Sequence, residues 1–347
     1  MTTHEKYIKR CIQLAQNGMG TTYPNPLVGS VIVHNDKIIG EGWHYQSGHP
    51  HAEVNAINSV DDTSLLSDAT IYVSLEPCSH YGKTPPCSDL IIEKGIKRVI
   101  IGTIDTFAKV SGSGIKKLIN AGCDVTIGVL ELECQKLNKR FFTFHNKKRP
   151  FIVLKWAETT DGFIAPESKN QRKPVWITNS YSRQLVHKWR AEEQAILVGN
   201  KTVIEDDPKL TIRDWSGTNP IRVVLDLSHK TPKNSKVLDQ TVKTIIISTQ
   251  PLIEKKKENI IYEVISSKKN VITELCNILH KHQIQSIIIE GGRYTIQSFI
   301  DENIWDEARI FIGNNTFGNG VKAPTLNATL ISEKKIATDT LKTYRND

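Results

Sequence analysis

The sequence lacks a long apolar run and a signal-peptide-like start. No segment approaches the roughly 18 consecutive apolar residues that a membrane-spanning helix needs. The first residues, Met1 to Lys6, lack the apolar core of a signal peptide, and we expect them to start a helix that is capped by Thr2 or Thr3. These absences argue against a membrane protein and predict a cytoplasmic one.

Cysteine is scarce, with six in 347 residues. Cys78 and Cys87 alone have a recognisable spacing, and in a cytoplasmic chain such a pair favours a metal site over a disulfide. We expect the others to be small core residues or unreactive thiols, namely Cys11, Cys123, Cys134 and Cys276.

Long basic tracts are also missing, although the formal net charge is +8. Lysine and arginine are spread along the chain, with short clusters at 147–149 and 255–257. This distribution argues against a nucleic-acid partner and fits a solvated surface that attracts phosphorylated small molecules. Internal repeats and low-complexity segments are absent, and a composition of 39% hydrophobic and 24% charged residues is typical of a globular protein.

Alternating strand and helix patterns indicate two α/β domains, which we place at residues 1–146 and 150–347. Between them, Lys147-Lys-Arg149-Pro150 combines charge with a proline, as linkers do. In the first domain we expect a hairpin of strands 28–33 and 37–43, helices at 52–60 and 88–94, and strands at 70–75 and 98–102. In the second we expect strands at 151–157, 194–199, 221–225, 244–248, 286–290 and 308–312, helices at 180–191 and 294–301, and a short helix with Thr202 and Asp206 on one face.

A metal-ligand pattern is formed by His51-Ala-Glu53, Pro77-Cys78 and Cys87. One histidine and two thiolates hold zinc with a fourth position open to water, and a glutamate two residues from the histidine can shuttle protons. This pattern is typical of zinc deaminases of cytosine-like and adenine-like rings, although eight residues, not two, separate the cysteines here. His51 and Cys87 are predicted at helix N-termini, which favour thiolate over thiol. Zinc-activated hydroxide would then attack the ring carbon that carries the amino group.

The flanking motifs narrow this class. Cys78-Ser-His-Tyr-Gly-Lys-Thr-Pro-Pro-Cys87 and Tyr23-Pro-Asn25-Pro-Leu-Val-Gly29 surround the metal motif. The second half contains Leu154-Lys-Trp-Ala157, Thr160-Asp-Gly162, Trp176-Ile-Thr178, Asp206-Asp-Pro208-Lys-Leu-Thr-Ile-Arg213 and Glu290-Gly-Gly292. Over nearly its whole length, the chain resembles the bifunctional deaminase–reductase family of riboflavin biosynthesis.

The resemblance implies a fold and a reaction sequence. The fold would be an N-terminal cytidine-deaminase-like α/β/α sandwich and a C-terminal dihydrofolate-reductase-like α/β domain. Zinc-dependent deamination of 2,5-diamino-6-(5-phosphoribosylamino)pyrimidin-4(3H)-one would be followed by NADPH reduction of the ribosyl chain of 5-amino-6-(5-phosphoribosylamino)uracil. The family also implies a homo-oligomer that binds phosphoribosylated pyrimidines.

The resemblance assigns residues to both sites. In the deaminase it implies catalysis by Glu53, metal binding by His51, Cys78 and Cys87, and substrate binding by Asn25, His44, His80 and Lys83. A loop at 105–114 would close over the substrate, with Lys109 as a phosphate candidate. In the reductase it implies NADPH contacts from Ala157, Trp176, Thr202, Asp206, Gly291 and Gly292, and substrate contacts from Arg190, Leu210, Arg213 and Glu290.

Two features of the reductase half depart from familiar patterns. G-x-G-x-x-G is absent, but Gly291-Gly292 follows a predicted strand and precedes a helix, which lets backbone N–H groups approach a pyrophosphate. Leu227 stands where the family often has a serine, so a preference for NADPH over NADH is expected but not secured. The sequence offers no strong candidate for the proton donor of the reduction.

Three other interpretations are compatible with the motifs. A structural zinc site would require a fourth protein ligand and would give no reason for Glu53. A tRNA or nucleoside deaminase with an unrelated second domain would act on cytidine or an anticodon stem-loop. A non-catalytic binding module would bind a ligand without turnover and would not need an intact Glu53.

Overall fold

The protein is described by a computed structural model that covers residues 1–81, 85–105, 112–251, 257–266 and 270–346. By its internal contacts, the chain divides into two compact units, Met1–Lys147 and Lys148–Asp347. Among the residues that the structure describes, none of the helices combines the length and the apolar character that a bilayer span requires.

The described strands of the first unit form one mixed sheet with the order β2-β1-β3-β4-β5. Its first three strands in this order are antiparallel neighbours, and β3, β4 and β5 run parallel. The strands are β1 (Gly29–His34), β2 (Lys37–Trp43), β3 (Thr70–Leu75), β4 (Arg98–Thr103) and β5 (Asp124–Ile127).

Helices cover both faces of this sheet. They are α1 (Thr3–Ala15), α2 (Ala52–Asn58), α3 (Cys87–Glu93), α4 (Ser113–Asn120), α5 (Glu131–Leu137) and α6 (Lys139–Lys147), with 3-10 turns at Gln16–Gly18 and Thr63–Asp68. Successive β3 residues alternate between the faces, so Ile71 packs with Ile91 of α3 while Tyr72 packs with Ile8 of α1. The expected cap of α1 is confirmed, since Thr2 and Glu5 form a capping box.

The described strands of the second unit form a larger sheet with the order β11-β10-β9-β8-β12-β6-β13-β16-β15, and β7 pairs separately with β14. From β11 to β13 the strands run parallel, and β16 and β15 add an antiparallel edge. The strands are β6 (Phe151–Glu158), β7 (Phe163–Pro166), β8 (Ala195–Gly199), β9 (Ile221–Leu225), β10 (Thr244–Ser248), β11 (Ile260–Val264), β12 (Ser286–Glu290), β13 (Glu307–Ile312), β14 (Gly320–Lys322), β15 (Thr329–Ile336) and β16 (Asp339–Arg345).

Helices also pack on this second sheet. They are α7 (Ser180–Glu192), α8 (Asn200–Asp206), α9 (Val271–Lys281) and α10 (Arg293–Asp301), with a 3-10 turn at Lys236–Leu238. Because parallel strands are covered on both faces, their sequences are nearly continuous apolar runs, as in Ile287–Ile289 of β12. The fully buried Arg222 interrupts such a run in β9 and pairs with Asp239 at 2.7 Å.

The strands and helices expected from the sequence are confirmed, with ends that differ by at most two residues. Three further helices of the first unit (α4, α5 and α6) and the helix α9 were not predicted, nor were the strands β5, β7, β11, β14, β15 and β16. Of the missed strands, β5, β7 and β14 have at most four residues and β15 is largely exposed, so these sequences carry little apolar periodicity.

Candidate functional site

His51, Cys78 and Cys87 converge in the first unit. Their ligand atoms all lie within 4.8 Å of one another, and this is the cluster that could hold a metal among the described residues. His51 Nδ1 is 3.5 Å from Cys78 Sγ and 3.4 Å from Cys87 Sγ. His51 is the N-cap of α2, Cys78 follows β3, and Cys87 is the first residue of α3. Two helix N-termini and the end of a strand therefore meet at one point.

This donor set fits zinc. Around a tetrahedral zinc with Zn–N of about 2.0–2.1 Å and Zn–S of about 2.3 Å, nitrogen and sulfur lie about 3.6 Å apart. The two N···S distances of 3.5 and 3.4 Å match this separation. Hydrogen bonds from Cys87 and His51 lower the pKa of Cys78, and the Cys87 amide also donates to its sulfur at 3.3 Å. The Cys78 sulfur is thus arranged to carry negative charge, whereas its hydrogen bond to Cys87, together with burial, raises the pKa of the Cys87 thiol.

Glu53 lies two residues after His51. Among the described residues, it is not a member of the metal cluster. It is 3% exposed. Burial, and then the negative charge on Cys78, raise the pKa of Glu53 to about 7. A carboxyl group that titrates near neutrality can both accept and release a proton. No fourth protein ligand joins the cluster within the described residues, which leaves the structural-zinc interpretation without support.

Asn25 and His44 form a polar wall beside this cluster. His44 is 3% exposed, and its ring stacks edge-on against that of His51 at 5.3 Å. Its Nδ1 lies 3.0 Å from the Pro50 carbonyl, so Nδ1 carries the proton and Nε2 accepts from Asn25 Nδ2 at 3.0 Å. Burial lowers the pKa of His44, which keeps the ring neutral.

The remaining deaminase predictions concern His80, Lys83 and the expected closing loop. His80 is exposed, two residues after Cys78. Lys83 lies outside the described residues, as do residues 106–111 of the expected closing loop, Lys109 among them.

Glu76, which sequence reasoning missed, anchors the backbone around the cysteine loop. Its carboxylate is 5% exposed and accepts N–H bonds from Gly112 and Gly114 at 2.9 Å each, and from Asp105 and Ile115 at 3.3 and 3.4 Å. The N-terminus of α4 is thereby held against the segment that carries Cys78. Backbone amides have no sequence signature, so no motif could have revealed this contact.

The ten reductase residues that the sequence predicts all line one cavity of the second unit, with a volume of about 550 Å³. They are Ala157, Trp176, Arg190, Thr202, Asp206, Leu210, Arg213, Glu290, Gly291 and Gly292. The cavity lies where the parallel strands β6, β8 and β12 end, since Ala157 and Glu290 are the last residues or nearly the last of their strands. Ligands of open α/β sheets bind at this edge.

The glycine turn after β12 faces α8. Gly292 N–H donates to Thr202 Oγ1 at 3.0 Å. Asp206, at the other end of α8, forms an ion pair with Lys169. Trp176 is 54% exposed and lies 5.2 Å from the Arg183 guanidinium. Leu227 packs against the apolar core of the unit, so this position contributes no polar side chain to the cavity.

Arg190, Glu290 and Lys155 form a nearly buried charged group on the cavity wall. Arg190 donates to both carboxylate oxygens of Glu290, at 3.1 and 2.8 Å, and Lys155 Nζ is 3.8 Å away. Burial alone would raise the pKa of Glu290, but Arg190 and then Lys155 lower it to about 2. Burial lowers the pKa of Lys155. Lys155 was not predicted, although a lysine within the apolar run of β6 was a signal for it.

Comparisons with known proteins agree on one family. Residues 1–103 match the cytidine and deoxycytidylate deaminase zinc-binding region, and residues 150–346 match the RibD C-terminal domain. The riboflavin biosynthesis protein RibD of Aquifex aeolicus is 40% identical over 336 residues, which cover 95% of this chain and 92% of that protein. The chain belongs to the RibD family.

Other RibD proteins extend the likeness to structure. RibD of Bacillus amyloliquefaciens is 39% identical over 329 residues, which cover 93% of this chain and 87% of that protein. The structure of a diaminohydroxyphosphoribosylaminopyrimidine deaminase/5-amino-6-(5-phosphoribosylamino)uracil reductase from Thermotoga maritima superimposes with a TM-score of 0.90 at 37% identity, covering 99% of both chains. RibD from Acinetobacter baumannii gives 0.88 at 31% identity, with the same coverage.

These findings confirm the expected fold class and the bifunctional character. This RibD family member joins a zinc-binding deaminase domain to a RibD reductase domain and is an enzyme of riboflavin biosynthesis. The alternative of a nucleoside deaminase with an unrelated second domain is wrong, because the second half matches the RibD C-terminal domain over 150–346.

Proposed function

We propose that the first unit deaminates 2,5-diamino-6-(5-phosphoribosylamino)pyrimidin-4(3H)-one and that the second reduces the ribosyl chain of the product, 5-amino-6-(5-phosphoribosylamino)uracil, with NADPH. The observation that carries the proposal is the three-ligand cluster with a buried, unliganded Glu53 beside it. The Thermotoga maritima relative is named for both reactions and matches along the whole chain.

In the deaminase, His51, Cys78 and Cys87 would hold zinc. Bound there, zinc would supply hydroxide at neutral pH. Glu53 takes the proton of the attacking water and returns protons to the ring nitrogen and to the departing ammonia, which its pKa of about 7 favours.

The deaminase substrate is held by the polar side chains around this cluster. The hydrogen-bonded pair of Asn25 and His44 presents a fixed polar edge to the pyrimidine, because the tautomer of His44 is set by the Pro50 carbonyl. We assign His80 and Lys83 to the substrate from the family resemblance, with Lys83 placed at the phosphate.

In the reductase, bound NADPH would supply the hydride for C1′ of the opened ribosyl chain. We assign the cofactor to one group of cavity residues, Ala157, Trp176, Thr202, Asp206, Gly291 and Gly292. Thr202 accepts from the Gly292 amide, which fixes the backbone turn that approaches the pyrophosphate. We assign the substrate to the other four of these cavity residues, Arg190, Leu210, Arg213 and Glu290, because guanidinium groups suit a phosphate.

Mass spectrometry of the diaminopyrimidine ribosyl-phosphate incubated with the purified protein tests both halves. Without NADPH, the amino group is expected to become a carbonyl, and two hydrogens are expected to be added when NADPH is present. Glu53→Gln should keep zinc and the reductase yet lose ammonia release by at least about 100-fold. Glu93→Gln, an exposed position at the end of α3, is the matched control and should release ammonia normally.

Each outcome of this experiment is informative. Normal ammonia release from Glu53→Gln would remove the role assigned to Glu53. Turnover of cytidine in place of the diaminopyrimidine would overturn the proposed deaminase substrate. Deamination without reduction would overturn the proposed role of the second unit with NADPH.

We also propose that the protein acts in the cytoplasm. Its six cysteines are all free thiols in the structure. Two of these thiols belong to the proposed zinc cluster, and a reducing compartment keeps such thiols available for metal. Cell fractionation against a cytoplasmic marker enzyme checks this placement, and recovery with secreted proteins would contradict it.

A further inference from the structure

His187 is a nearly inaccessible histidine on the wall of the reductase cavity. It lies on α7, one turn before Arg190, and is 1% exposed. Its Nδ1 accepts the backbone N–H of Arg213 at 3.1 Å, and its Nε2 lies 3.5 Å from a guanidinium nitrogen of the same residue. The ring therefore lies alongside both the amide and the side chain of Arg213.

The Arg213 amide determines the tautomer of His187. A backbone N–H is always a donor, so Nδ1 must be unprotonated and the neutral ring carries its hydrogen on Nε2. Nε2 faces the Asp214 carboxylate at 3.8 Å. A doubly protonated ring would set two N–H groups against each other at Nδ1, and the contact with Arg213 would be lost.

The charges around the ring keep it neutral. Burial, followed by the charges of Arg190 and Arg213, lowers the pKa of His187 to about 4, against the opposing effect of Asp214 and Glu290. At neutral pH the acceptor on Nδ1 is thus permanently available to the Arg213 amide.

Arg213 is an exposed cation on the cavity wall, and its neighbours are already committed. Arg190 is paired with Glu290, and Arg183 with Asp214 at 2.9 Å. Within the described ranges, Arg213 itself forms no ion pair with a carboxylate. A guanidinium that is held in place, and whose acidic neighbour Asp214 is paired with Arg183, is suited to bind an anionic group of a ligand.

The loop that carries Arg213 is fixed from one face of α7. Arg190, which lies three residues after His187 on the helix, donates to the Thr211 carbonyl at 3.3 Å. From outside the helix, Asn219 accepts the Ile212 amide at 2.9 Å. His187 accepts the backbone amide of Arg213, which follows Thr211 and Ile212 in this loop and carries the guanidinium.

We propose that His187 is a positioning residue, which holds Arg213 so that its guanidinium binds the phosphate of the reductase substrate. The proposal rests on the proposed function, because the phosphate belongs to the substrate assigned above. Neither the motifs nor the family model assigns a role to His187. We expect His187 to affect the affinity of the reductase for its substrate, and other residues to determine the affinity for NADPH.

Steady-state kinetics of the reductase test this assignment with His187→Leu and His187→Asn. Leucine removes the acceptor, and the KM for the phosphorylated substrate should rise about tenfold while the KM for NADPH stays unchanged. Asparagine places an acceptor oxygen near the position of Nδ1 and should restore the KM to within about threefold of the wild type. Ammonia release by the same molecules, which depends on residues of the first unit, controls for protein quality.

A dephosphorylated substrate and an Arg213→Ala background separate positioning from general destabilisation. In either case His187→Leu should change the substrate KM by less than about twofold, because the phosphate contact is already missing. An undiminished tenfold effect there, or an unchanged KM for the phosphorylated substrate in the wild-type background, overturns the proposal. Wild-type protein that does not reduce the substrate at all would instead overturn the proposed function.

Nitrogen NMR of the histidine-labelled wild-type protein supplies a test that needs no destabilising variant. The His187 signal, assigned by its loss in His187→Asn, should show an unprotonated Nδ1 and a protonated Nε2 between pH 6 and 8. The opposite tautomer, or a ring that titrates in this range, would contradict the proposal even if His187→Leu fails to fold.

Discussion

Loss of either partner of the ion pair between Arg190 and Glu290 should strongly destabilise the second unit. The side chains are each 12% exposed, and two N–H···O bonds join them. Arg190→Met and Glu290→Gln each remove one partner with little change in length. Breaking a nearly buried pair leaves the other charge without compensation, so we expect each single variant to lose several kcal/mol of unfolding free energy, about 3.

The magnitude follows from the pKa of Glu290. A decrease from the ordinary 4.5 to about 2 corresponds to about 3 kcal/mol of stabilisation of the ionised carboxylate, at 1.36 kcal/mol per unit. Arg190 precedes Lys155 among the causes of this decrease, so we assign it the larger share. The double variant should therefore show a coupling free energy of about 2 kcal/mol.

Urea unfolding followed by tryptophan fluorescence measures this coupling. Five of the six tryptophans belong to the second unit, at positions 156, 176, 189, 215 and 305. Because the pKa of Glu290 is lowered in the folded state, its contribution to the free energy of unfolding is complete above pH 4.5. This contribution is lost as the pH falls through about 2. At pH 3 the coupling should be less than half of its value at pH 7. A coupling below about 0.5 kcal/mol at pH 7, or one that does not depend on pH, would refute this reasoning.

Three further predictions concern the metal cluster, its backbone and the cofactor turn. Cys87→Ser should lose zinc and ammonia release but keep NADPH-dependent reduction, and metal analysis with retained zinc would contradict this. Gly114→Ala should destabilise the first unit by about 2 kcal/mol and weaken zinc retention, because a Cβ there would lie 2.0 Å from the Pro77 carbonyl oxygen. An unchanged melting temperature in calorimetry would contradict this prediction. Thr202→Val removes the acceptor of the Gly292 amide and should raise the KM for NADPH about tenfold, with the substrate KM unchanged. An equal effect on both constants would show that Thr202 acts on the whole cavity.

Much of the fold was predictable because its central strands are buried on both faces. Apolar runs such as 286–290 predicted strands whose ends agree with the structure. The antiparallel edge was not predictable in the same way. β15 is mostly exposed and rich in lysine and glutamate, so its conformation depends on pairing with β16 and not on its own pattern.

The candidate sites were also predictable only in part. The metal cluster was predictable because its chemistry needs particular side chains at short spacings, and those side chains converge. Glu76 and His187 were not, because each binds a backbone amide 26 or more positions away in the chain. An amide is present at nearly every residue, so the sequence contains nothing that marks its partner. Contacts of this kind are visible only after folding.

The position of Arg190 has a thermodynamic consequence for the two ligands of the reductase cavity. One guanidinium binds Glu290, which directly precedes the glycine turn proposed for the cofactor, and the Thr211 carbonyl, which belongs to the loop of Arg213. A ligand that shifts this side chain at one end changes its contacts at the other. Substrate and NADPH should therefore bind non-additively, and linkage requires each to change the affinity of the other by the same factor.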